Sequence, residues 1–173
     1  MATFFSQLYA ATATPRTVDV QKRVSAGISH GRMRYARAEV TCDQVYAAAD
    51  VIRLKQFKSG DRINSIKLSC IDGGTTSTIH LGIHKSGTAH DGAVVDADLF
   101  ASSVDITTAA LSQSELFDEA GLDDFDRGKA LWELNGDSSD PMEDWDLSVT
   151  IATESGAVAA WQVMVEVYYT SGD

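Results

Sequence analysis

The chain has 173 residues, 44% of them hydrophobic, with a mean hydropathy of −0.11. That length favours one domain plus arms, and the composition is normal for a soluble globular protein. The net charge of −11 is polarised: residues 1–62 carry ten Lys/Arg and five Asp/Glu (+5), residues 63–173 four and twenty (−16). An acidic body opposes free nucleic-acid binding, and no run approaches the roughly 20 apolar residues of a membrane span.

In chain order, residues 1–14 are small and weakly apolar, with Phe4, Phe5, Leu8 and Tyr9 as their large side chains. They lack the basic start and long apolar core of a signal peptide, so the expected setting is the cytoplasm or something assembled there. Pro15 closes this stretch. Residues 16–31 have no firm period, and Gly27 and Gly31 argue against a long helix. The segment reads as an extended arm that gains order on another surface, or that wraps its own domain. Arm and sandwich are divided at 1–37 and 38–173. RMRYARAEVT (Arg32 to Thr41) reads as an edge strand with its arginines on one side, either guarding the edge or forming a contact strip.

From Ala47 onward short alternating segments are cut by turn residues, the pattern of antiparallel strands. AAADVIRLKQF puts Ile52 and Leu54 on one face; SGD turns; Ile66, Leu68 and Cys70 then share a face. After the turn DGGT, Ile79, Leu81 and Ile83 point in, and His80, Gly82 and His84 point out. His80 and His84 lie about 13 Å apart by strand rise, too far to share one metal ion, and read as surface histidines. VVDADLF and SVDIT supply two more short strands. Residues 112–126 are strongly acidic and allow a helical turn or two. Neither this stretch nor NGDSSDPMEDWD has the ligand spacing of an EF-hand, so both read as solvated loops. KALWEL (Lys129 to Leu134) reads as a strand. Trp145, Leu147, Val149 and Ile151 form one inward set; Trp161, Val163, Val165, Val167 and Tyr169 form another. The ESG turn between them predicts an antiparallel hairpin. Cys42 and Cys70, both in strand-like text, read as free core thiols.

The fold class predicted is all-β, an antiparallel β-sandwich. No nucleophile elbow, P-loop, dinucleotide fingerprint or zinc-protease motif is present, which lowers the expectation of an enzyme; no catalytic residue, metal or cofactor is assigned.

The ordered cues DVIRLKQF, SGDRI leading into NSIKLSC, TIHLGIH, VVDADLF, ALWEL, WDLSVTIAT and WQVMVEVYYTSGD give the chain a resemblance to tailed-bacteriophage virion structural proteins over Ala47 to Asp173. The long acidic insert at residues 112–126 departs from the simplest pattern. The resemblance implies a jelly-roll-like sandwich behind an extended N-terminal arm. It also implies a non-enzymatic decoration (cement) protein on the outer capsid surface of the virion, assembled in the host cytoplasm. The partners implied are the major capsid protein and neighbouring copies of this chain, a homo-oligomer with a trimer favoured, with neither direct nucleic-acid contact nor membrane. The contact residues expected are Arg16, Lys22, Arg23, Arg32, Arg34 and Arg37. The alternative is a tail or fibre component with a carbohydrate- or receptor-binding sandwich, for which Trp132, Trp145 and Trp161 are the candidate platform, against core packing for each.

Overall fold

The computed structural model describes residues 32–42, 46–71, 77–107, 111–153 and 161–172, with the side chain of Cys42 outside that set. Residues 1–31, and with them most of the expected arm, lie outside the described residues. Eight strands follow in order: β1 (Met33–Cys42), β2 (Val51–Lys58), β3 (Arg62–Ile71), β4 (Thr78–Lys85), β5 (Val94–Asp105), β6 (Leu111–Glu115), β7 (Asp144–Thr153) and β8 (Trp161–Thr170). A single helical turn, α1 (Leu131–Leu134), lies between β6 and β7.

The strands form two four-stranded sheets, ordered β1-β8-β3-β6 and β2-β7-β4-β5, with every pairing antiparallel. Eight strands in two sheets, with chain neighbours sent to opposite sheets, make a jelly roll. Of the consecutive strands, only β4 and β5 are hydrogen-bonded neighbours. The hairpin expected between β7 and β8 is therefore absent: β7 is central in one sheet and β8 in the other. Alternation told which face of each strand is apolar, but a strand satisfies that pattern equally well beside any partner.

The alternating residues behave as their period requires. Ile66, Leu68 and Cys70 from β3 meet Val163, Val165 and Val167 from β8 in the core, facing Ile79, Leu81 and Ile83 of β4 and Leu147, Val149 and Ile151 of β7. Each aliphatic side chain fully buried in this way contributes about 1.5–3 kcal/mol. Cys70 is buried in the core. In β2 the register shifts between Arg53 and Lys55, so the inward parity passes from Ile52 to Phe57. Phe57 then meets Tyr169 edge-on, ring centres 5.0 Å apart.

Four further expectations are corrected. The two short strands read from VVDADLF and SVDIT are one bulged strand, β5. The acidic stretch begins as strand β6 and continues as turns, where a helical turn or two was expected. KALWEL is not a strand: Ala130 donates its N–H to Glu133 Oε2 at 2.7 Å, and Leu131 is buried as the turn closes. Four residues are too few for any period to separate strand from helix. Finally, His84 is buried. The outer face of the second sheet is covered around it, so Asp146 and Ser148 of β7 are buried as well.

Candidate partner-contact surface

The six basic residues singled out for partner contact divide three ways. Arg16, Lys22 and Arg23 lie outside the described residues. Arg32 is exposed just before β1. Arg34 and Arg37 are in β1, an edge strand paired with β8 alone, as the strand reading expected. The arginines do not share one side, however. Arg34 is opposite Tyr169 on the face that continues through Val40 to the core, and Arg37 is three positions on and opposite Glu166 on the outer face. An odd spacing in a strand always separates faces. Arg37 is ion-paired to Glu39 at 2.8 Å. On the same outer face the Tyr35 hydroxyl donates to Glu166, with its ring 5.3 Å from that of Tyr168. That bond to a carboxylate raises the Tyr35 pKa above its ordinary value, with burial and the charge of Glu166 adding to it.

Two polar groups stand apart from this strip. Under the 86–93 loop, Asp146 is 1% exposed and accepts from Ser86 Oγ at 2.7 Å; His90 Nδ1 approaches it at 2.9 Å, and Arg53 at 3.7 Å. Arg53 also donates to the carbonyl of Gly92 at 2.8 Å, tying the loop down. Beside it, His84 Nδ1 and Ser148 Oγ are 2.6 Å apart. Burial lowers the His84 pKa, the Arg53 charge lowers it further, and Asp146 acts the other way. This arrangement fastens a loop to a sheet. In this group Asp146 lies between Ser86 and His90, while His84 is bonded to Ser148, so neither imidazole joins a hydroxyl to a carboxylate. Among the described residues no three His, Cys, Asp or Glu side chains converge as metal ligands.

The second group is acidic. Residues 116–143 carry nine Asp/Glu against Arg127 and Lys129, a net of −7. Arg127 reaches Glu115, Asp118 and Asp124, Lys129 reaches Asp126, and Arg62 reaches Glu133. The hydrogen bond between Lys129 and Asp126 lowers the carboxyl pKa and raises that of the ammonium. The region adjoins the start of β3: Gly128 N–H donates to Ile63 O at 3.0 Å, and Leu131 N–H to Asp61 O at 2.9 Å. Since Arg62 and Met33 both pair with Thr170, β1 starts at this same end. Sequence reasoning saw the acid but not where it gathers, which depends on strand order. Trp145 and Trp161 are in the core at 2% and 1% exposure, as core packing predicted, and Trp132 is partly buried against it.

The class these observations define is an eight-stranded antiparallel jelly roll. No family model matches the sequence, and no curated protein matches it. Among solved structures its neighbours are phage capsid chains. A chain in the capsid of Ralstonia phage GP4 matches with a TM-score of 0.55 at 19% identity, covering 83% of this chain and 86% of that one. A chain in the capsid asymmetric unit of cyanophage Pam1 matches with a TM-score of 0.46 at 17% identity, covering 91% of this chain and 99% of that one. The similarity to the GP4 chain extends across most of both chains and is one of fold.

Proposed function

We propose that this protein is a non-enzymatic structural component of a phage virion, a decoration (cement) protein bound to the major capsid protein on the outer face of the head. The observation that carries the reading is the jelly roll shared with a chain of the GP4 phage capsid across most of both lengths. The chemistry is compatible: the polar groups fasten loops to the body, and a protein that binds only the assembled lattice stabilises it by mass action. Its partners are the capsid lattice and further copies of itself, a trimer on a symmetric shell. Contact falls to the basic front of the chain, Arg16, Lys22, Arg23, Arg32, Arg34 and Arg37.

Cryo-electron microscopy of purified particles tests this reading. Repeated density fitting the sandwich across the outer shell is expected. Density at the tail or at a unique vertex overturns the decoration role, and absence from particles overturns the virion role. Deletion of residues 1–31 tests the arm: loss of co-sedimentation with shells is expected, and undiminished binding rejects the assignment.

A further inference from the structure

We propose that the open edge of β1 pairs antiparallel with β1 of a second copy of this chain, about a two-fold axis through Ala38, so that two four-stranded sheets become one continuous sheet. The inference rests on the homo-oligomer part of the function proposed above and adds to it a two-fold contact between copies of neighbouring trimers.

The state of the edges is the first argument. Among the described residues the edge strands are β1 and β6 in one sheet and β2 and β5 in the other. An unpaired edge is a template for further pairing, and bulges or shortness are what normally blunt it. Three of these edges are blunted. The register of β2 shifts between Arg53 and Lys55. That of β5 shifts repeatedly against β4, with Ser103 at a φ of +54°. β6 is only five residues long, with Gln113 at a φ of +52°. By contrast β1 has ten residues, runs against β8 without a shift, and contains neither proline nor a positive φ. The charge of Arg37 does not guard it, because Glu39 neutralises that charge at 2.8 Å.

Self-complementarity is the second argument, and it selects the occupant. Across the outer face of this sheet one row of opposed residues alternates in sign: Glu115, Lys67, Glu166, Arg37. The row stops at the edge, where an added strand gains by placing a carboxylate opposite Arg37. β1 itself has one at the matching position. A two-fold axis perpendicular to the sheet keeps like faces together, so it opposes only residues of equal parity. Centred on Ala38, it sets Arg37 against Glu39 of the second copy and, by symmetry, Glu39 against the second copy's Arg37. Centred one residue either way, it would oppose two arginines or two glutamates. The same register lays Ala36, half-buried at the rim of the core, against Val40 of the second copy, and Tyr35, which is 50% exposed, against Thr41. The remaining like charges are kept apart. The two copies of Arg34 stand about 27 Å from each other along the strands, well beyond the screening length at physiological salt.

The test uses the purified full chain with no shell present, so its failure is separable from failure of the capsid reading. A38C in a C42S background reads the contact directly, because directly opposed strand residues lie within disulfide reach. After mild oxidation, non-reducing denaturing gels should show covalent dimer, whatever other contacts the copies make. A36C alone should cross-link poorly, since its two copies are about 14 Å apart along the strands, whereas A36C mixed with V40C should cross-link well. Adding R37E or E39K to A38C should slow dimer formation about tenfold in each case, as two opposed pairs become like-charged. An equimolar mixture of those two variants should recover it, because an acidic edge then meets a basic one. Absence of A38C dimer, or A36C cross-linking as fast as A38C, overturns the proposal. So does an undiminished rate with either reversal, or a loss in both without recovery in the mixture. Far-ultraviolet circular dichroism checks that each variant keeps its sheets.

Discussion

Gly82 gives the sharpest stability prediction. On β4, Leu81 pairs with Ala101 and Ile83 pairs with Asp96, so one residue of β4 lies opposite four of β5. The extra β5 backbone folds over the outer face at Gly82. A Cβ there would stand 2.1 Å from the carbonyl oxygen of Asp96 and 2.4 Å from the carbonyl carbon of Ala97, against an ordinary contact of 3.4–4 Å. The obstacle is backbone, so G82A must push β5 away by more than an ångström. Overpacking costs about 1–3 kcal/mol, and a backbone obstacle belongs at the upper end. Replacing strand glycine returns about 0.5–1 kcal/mol of chain entropy. The net expectation is a loss of about 2–2.5 kcal/mol, which lowers Tm by about 4–10 °C for a chain of this size. Urea unfolding should show a lower midpoint with an unchanged slope. A variant within about 0.5 kcal/mol of the wild type would refute the reasoning, because β5 would then not lie over Gly82. G136A is the control: its site has φ of +82° and nothing within 4 Å, so only left-handed strain is added, about 1–2 kcal/mol.

Three further outcomes follow from the same structure. F117A removes a fully buried ring that touches Phe100, 5.8 Å between centres, and should cost about 3–5 kcal/mol by urea unfolding. His84 has a folded pKa below its ordinary value, so the unfolded chain takes up the proton first. Its contribution to stability is full above about pH 6.5 and is lost as pH falls through the folded value. H84Q should therefore flatten the acid side of the stability profile below about pH 6.5, and an unchanged slope there rejects the assignment. D146A strips Ser86, His90 and Arg53 of a shared buried acceptor; loss of about 3 kcal/mol is expected, with faster proteolysis within residues 86–93. A cleavage pattern equal to that of the wild type would show that Asp146 does not fasten the loop.

The class of fold and the inward face of most strands were legible in the residues alone. Period-two alternation is a local property, and wherever one face packs on a core it names the side chains that point there: Ile66, Leu68 and Cys70, then Val163, Val165 and Val167. Cys70, Trp145 and Trp161 were legible as core for the same reason. Which strands are neighbours is set by the folded chain, because an apolar face is indifferent to the strand beside it. So β7 and β8, expected as a hairpin, are divided between the sheets. The outward positions were equally beyond a local rule: His84, Asp146 and Ser148 alternate as surface residues should, yet are buried because chain from elsewhere covers them. KALWEL was too short to carry a period at all. The acidic residues could be counted from the sequence, but their gathering at the end where β1 begins is set by strand order, and charge has consequence only where it is brought together.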